Sequence, residues 1–151
     1  MEVALLTNKK AHFDYEITDT FEAGLELLGT EVKSVRAGLG SLLGARIMPR
    51  GGEAYLVGAT IPAFQLANAS KDFDPDRNRR LLLTKKEIAI LVEVEKEKGL
   101  TIVPISVYNK GRKLKIQIGI ARGKKKFDKR QVLKKRESDR DIRREMKGGR
   151  G

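Results

Sequence analysis

The chain has no cysteine, no tryptophan and a single histidine, and these gaps remove several classes of chemistry at once. Without thiols it can form neither disulfides nor thiolate metal sites, a composition that suits a reducing compartment. His12 stands without the Ser/His/Asp or Cys/His company that nucleophilic catalysis requires, and reads as an ordinary histidine beside a strand. No run approaches the ~18 apolar residues of a membrane span, and the N-terminal segment has no signal-peptide hydrophobic region. A soluble, cytoplasmic protein with no membrane partner is therefore expected.

Glycine and acidic motifs are equally uninformative. Gly38 and Gly40 in AGLGSLLG lack both the GxGxxG spacing and the GK[ST] of a phosphate-binding loop. Asp72, Asp74 and Asp76 lack the glycine and distal glutamate of a calcium loop, and with Pro75 they read as a solvated turn. No catalytic residue, metal ligand or cofactor site is expected.

What the chain does have is positive charge, unevenly placed. It carries 32 Lys/Arg against 20 Asp/Glu, a formal net charge of +12. From Ala121 to Gly151 there are 14 Lys/Arg against 5 Asp/Glu, so most of the excess lies at the C-terminal end. Such a balance attracts polyanions through long-range steering and counterion release. The last thirty residues hold only five large apolar side chains (Phe127, Val132, Leu133, Ile142, Met146), too few for a core. A tail that is disordered when free and orders on a polyanion is expected, since ordering needs outside contacts to offset chain entropy. Ile142 and Met146 are an i,i+4 pair, which permits a one-sided helix. The expected division is a body over 1–122 and a tail over 123–151.

The body reads as β with helical punctuation. Alternation predicts a strand over Phe13–Ile17 and a second extended run over Phe21–Leu28, with Gly24 marking either a bulge or a close approach of another backbone. GTEVKSVR, residues 29–36, predicts a short helix with Thr30 as N-cap and Lys33 and Arg36 on one side. Residues 42–48 and 53–57 flank PRGG as a hairpin. Thr84-Lys85-Lys86-Glu87 is a capping box opening a helix that Gly99 should end. Thr101–Tyr108 and Lys113–Ala121 form the clearest hairpin, with Leu114, Ile116, Ile118 and Ile120 on one face and Lys113, Lys115 and Gln117 on the other. About six short strands suggest a small barrel or sandwich.

Several segments then converge on one family. NKKA (8–11), FEAGL (21–25), GTEVKSVRAG (29–38), Asp74-Pro75 followed by RRLLL (79–83), Glu87-Ile88, GLTIVP (99–104), GKK (123–125) and DKR (128–130) occur together and in order. This set resembles the SsrA-binding, or SmpB, family of bacterial trans-translation. The resemblance implies an oligonucleotide-binding-type β-barrel that binds the tRNA-like domain of transfer-messenger RNA. It also implies that the tail enters the decoding centre and empty mRNA channel of the small ribosomal subunit as a helix. A monomer without catalytic activity is implied.

By position, the family's RNA-binding surface falls on Glu22, Leu82 and Thr84, with Lys9, Lys10, Lys33 and Arg36 as phosphate contacts. Ribosomal engagement falls on Gly123, Lys124, Lys125, Phe127, Asp128, Lys129 and Arg130, together with Ile142 and Met146. A carboxylate such as Glu22 can accept from a base or a ribose, while Lys and Arg hold phosphates. Leu82 fits core packing equally well. Thr84 stands where members usually carry Asn or His, Phe64 where Tyr is common, and Ser70-Lys71-Asp72-Phe73 replaces the usual Asn-His before Asp-Pro. Two other classes fit the composition: a ribosome-associated structural protein and a general single-strand RNA binder. The second has only Phe and Tyr available for stacking.

Overall fold

The computed structural model describes residues 3–65 and 72–124. The expected contacts at Lys125, Phe127, Asp128, Lys129, Arg130, Ile142 and Met146 lie outside the described residues.

In chain order the elements are β1 (Ala4–Thr7), α1 (Ala11–Asp14), β2 (Tyr15–Leu25), α2 (Gly29–Arg36), β3 (Arg46–Arg50) and β4 (Glu53–Val57). They continue as β5 (Arg79–Leu82), α3 (Lys85–Lys96), β6 (Leu100–Lys110) and β7 (Lys113–Gly123). Among the described residues the strands make one seven-stranded antiparallel sheet in the order β1-β6-β7-β2-β5-β4-β3. β3 ends that order yet packs against β6, so the sheet curls back on itself, with α3 lying over both strands at the seam. The mainly-β expectation holds, with seven strands instead of six.

The concave side holds the core. Leu114, Ile116, Ile118 and Ile120 of β7 are buried, as their alternation predicts, and the first three pack in one cluster with Ala23, Leu25, Leu56, Leu81, Ile102 and Val107 from neighbouring strands. Each such fully buried aliphatic side chain contributes about 1.5–3 kcal/mol. β7 supplies nine residues of pairing to β2, from Tyr15↔Gly123 to Gly24↔Lys115, with a bulge between Ile17 and Asp19.

That long partner explains two corrections. Residues 15–25 form one strand instead of two runs, and it ends at Leu25. Phe13 lies in α1, not in a strand. The chain turns there because the Asn8 side chain donates to the Pro104 carbonyl at 2.9 Å and Ala11 buries against Val103 and Ala121.

Helix α2 spans the expected residues, but Thr30 is not its cap. Glu31 accepts the Leu28 amide at 2.8 Å, while the Thr30 hydroxyl accepts the Phe64 amide at 2.7 Å. The first hairpin is tighter than expected. Gly51 and Gly52, both at positive φ, make a two-residue turn, and Pro49 lies inside β3 opposite Ala54. An edge strand tolerates proline because no ladder hydrogen bond is lost there. β3 begins at Arg46, four residues later than the pattern suggested.

Helix α3 opens with the predicted box: the Glu87 amide donates to Thr84 Oγ1 at 3.2 Å and the Thr84 amide donates to Glu87 Oε1 at 2.9 Å. It ends at Lys96, three residues before Gly99, whose φ of +87° favours a residue without a Cβ in the turn into β6. The 74–77 segment is the expected turn, with the Asp76 amide donating to Asp74 Oδ1 at 2.9 Å.

Candidate nucleic-acid interface

Residues directly opposite each other in a sheet share a face. The pairs Glu22↔Gln117, Ser106↔Gln117, Gly24↔Lys115, Tyr108↔Lys115 and Gly24↔Leu82 therefore place one residue set on the convex side. This side is polar and basic because the alternation that buries the isoleucines of β7 turns Lys115 and Gln117 outward. Lys113 extends the same row, and Lys110 pairs with it at the hairpin end.

Glu22 is the best-organised group on that face. The Tyr108 hydroxyl donates to Oε2 and Lys110 Nζ donates to Oε1 at 3.0 Å. The Tyr108 and Lys110 hydrogen bonds, with the charges of Lys110 and Lys115, outweigh desolvation and hold the carboxyl below its ordinary pKa. Glu22 is thus an ionised acceptor in a fixed rotamer. Beside it lies an open depression of about 400 Å³ lined by Thr20, Phe21, Ser106, Tyr108 and Gln117.

The structure brings some of the expected contacts together and separates others. Leu82 is 51% exposed, so the core alternative does not hold, and it lies over Gly24, two residues from Glu22. A Cβ built on Gly24 would come within 3.0 Å of Leu82 Cβ, which accounts for the glycine. The Thr84 hydroxyl is committed to its helix, donating to Glu87 Oε1 at 2.9 Å besides accepting the Glu87 amide. Lys33 and Arg36 are exposed on α2, and Arg36 donates to the Arg112 carbonyl at 2.7 Å, which sets it at the β6–β7 turn near Lys110 and Lys113. Lys9 and Lys10 are exposed between β1 and α1, next to the 40–43 loop, and do not line the Glu22 depression. Gly123 ends β7 opposite Tyr15. Lys124 is tied to α1 through its amide to the Asp14 carbonyl at 3.0 Å and Nζ to the His12 carbonyl at 2.8 Å.

Local reading missed two features. Tyr108 and Lys110, the partners of Glu22, lie 86 and 88 residues away in sequence. Their only signal was the basic row of the adjoining strand. The second feature is beneath the surface: Glu31 and Arg79, which belong to two of the family-like segments, are fully buried against each other. Arg79 Nε and Nη2 donate to Glu31 Oε2 at 3.0 and 2.6 Å, and Arg77 Nη2 donates to Oε1 at 2.5 Å. The remaining donors of Arg79 reach the carbonyls of Ala59 and Pro75 at 3.0 and 2.9 Å. Of the two arginines in RRLLL, only Arg80 faces solvent, paired with Glu26 at 3.1 Å.

Comparison with known proteins places this arrangement. Residues 5–148 match the family model described as SmpB protein. This chain belongs to the SmpB family. An SsrA-binding protein of Microcystis aeruginosa is 49% identical over 140 residues, covering 93% of this chain and 91% of the relative. One from Thermosynechococcus vestitus is 48% identical over 143 residues, covering 95% and 94%. A solved SmpB-family chain, described as "tmRNA-SmpB: a journey to the center of the bacterial ribosome", is 43% identical with a TM-score of 0.67. That likeness covers 80% of this chain and 85% of the other. Family membership thus extends over the whole curled sheet and its polar face.

Proposed function

We propose that this chain is an RNA-binding factor of trans-translation, which binds the tRNA-like domain of transfer-messenger RNA and delivers it to stalled ribosomes. The observation that carries this reading is the ionised Glu22, fixed by Tyr108 and Lys110 on an exposed polar sheet face, in a chain matching the SmpB model over residues 5–148. Folded RNA is recognised by shape, by splayed bases and by 2′-hydroxyls, and an organised acceptor among lysines suits that task. Leu82 offers an apolar contact beside it, while Lys33, Arg36, Lys9 and Lys10 serve as phosphate contacts. The protein acts by binding: peptide-bond chemistry stays with the ribosome, and the factor works in the cytoplasm as a monomer.

The tail starting at Gly123 forms the second interface in this reading. Its basic residues follow the chain into the decoding centre and empty mRNA channel, where Phe127 stacks on ribosomal RNA and Ile142 and Met146 mark one side of a helix. Co-purification tests the whole proposal. One structured, tRNA-like RNA should be retained at salt that strips generic RNA, because non-specific phosphate binding decays steeply with salt. Equal retention of bulk ribosomal RNA would refute it. A chain ending at Lys124, which keeps the last anchoring bonds, should still bind that RNA but no longer support tagging on stalled ribosomes.

A further inference from the structure

Resting on that reading of the sheet face, the geometry points to the depression beside Glu22 as a pocket for a single unstacked guanine of the bound RNA. Its volume of about 400 Å³ lies in the range of small-ligand sites. The Tyr108 ring, one of its lining side chains, is fixed through its hydroxyl. Thr20, Ser106 and Gln117 supply further polar atoms around the rim.

The choice of base follows from the acceptor count. An ionised carboxylate offers about four lone-pair sites, two on each oxygen. Tyr108 takes one on Oε2 and Lys110 takes one on Oε1, leaving one acceptor site on each oxygen. Two side-by-side acceptors suit an edge with two side-by-side N–H donors. Guanine presents such an edge in N1–H and the N2 amine. Adenine, cytosine and uracil each set an acceptor next to a donor, whose lone pair would face a carboxylate oxygen.

The test uses the full chain and a tRNA-like RNA whose unpaired guanosines are replaced one at a time by inosine, which lacks only the N2 amine. A parallel series carries 2′-deoxyguanosine at the same positions. One inosine should weaken binding by about tenfold, as expected for a lost hydrogen bond to a charged group. The same inosine should cost little against Glu22→Gln, which is near-isosteric at an exposed site. Tyr108→Phe should shrink that penalty through loss of the fixed rotamer. If no unpaired guanosine responds to inosine with the wild-type chain, the pocket assignment is overturned. It is equally overturned if the Glu22-dependent penalty follows the 2′-deoxy series, which would make the carboxylate a ribose contact. Both results leave the proposed function standing. Failure of the wild-type chain to prefer the tRNA-like RNA over unstructured RNA would remove that function and the pocket together.

Discussion

Arg79 Nη2 lies 2.6 Å from Glu31 Oε2, and both side chains are fully shielded from solvent. The pair ties the start of α2 to β5, and through the carbonyls of Ala59 and Pro75 it also holds the two segments that lead into and out of residues 66–71. A buried pair is a weak source of net stability, but removing one member strands the other charge without water. Arg79→Ala should therefore lower unfolding free energy by about 3–5 kcal/mol, read from urea denaturation. Arg79→Lys should restore little, because a point charge cannot reproduce the planar fork that reaches one carboxylate and two carbonyls. Wild-type stability in Arg79→Ala would contradict the burial and bonding described.

The same carboxylate sets an acid sensitivity. Burial pushes the Glu31 pKa up, but Arg77, the Leu28 amide and Arg79 together overcome this and hold it below its ordinary value of 4.5. A carboxyl depressed in the folded state contributes stability that is present above its unfolded pKa and lost as pH falls through the folded value. Unfolding free energy should therefore drop as pH is lowered below about 4.5. Glu31→Gln should flatten that drop while lowering stability at neutral pH. Denaturation curves across pH 2–7 check both expectations, and a slope unchanged in Glu31→Gln would count against the assignment.

At the start of α3, Thr84→Ala removes the hydroxyl that accepts the Glu87 amide and should cost about 1 kcal/mol. Thr84→Ser should keep most of it. A melting series on the three proteins decides the matter, and equal melting temperatures would mean that the cap contributes nothing.

The capping box was legible in the sequence because all its partners lie within four residues, and so was the β6–β7 hairpin, whose isoleucines alternate without interruption. Gly24 announced a crowded position, but the neighbour is the Leu82 side chain, not another backbone, and the bulge of β2 lies at Ile17/Asp19. Phe13 misled for a physical reason: Phe13, Tyr15 and Ile17 alternate like a strand, while a four-residue helix is too short to impose its own period. Thr30 is a reasonable cap by type, but the helix already begins at Gly29, with Glu31 accepting the Leu28 amide, and the Thr30 hydroxyl accepts the Phe64 amide instead. Glu31–Arg79 and Glu22–Tyr108 could not be read locally at all, since 48 and 86 residues separate their members. The polar face was visible in β7 alone; only the sheet order adds Glu22 and Leu82 to it.

Leu82 separates packing from recognition. Being half exposed, it should tolerate Leu82→Ser with a stability change within about 0.5 kcal/mol. RNA affinity should nevertheless fall, because an apolar contact beside Glu22 is replaced by a hydrated one. Melting and RNA binding measured on one preparation check this, and a large loss of stability would make Leu82 a packing residue after all.

The most direct measurement is competition between a tRNA-like RNA and an unstructured RNA of equal length, with affinity followed as salt is raised, for the wild-type chain and for Glu22→Ala. The expected result is a preference for the tRNA-like RNA that persists in the wild type at salt where the unstructured RNA is released. That preference should collapse in Glu22→Ala at an unchanged melting temperature. Parallel loss of both RNAs with salt in the wild type, or an undiminished preference in Glu22→Ala, would contradict recognition by the Glu22 face.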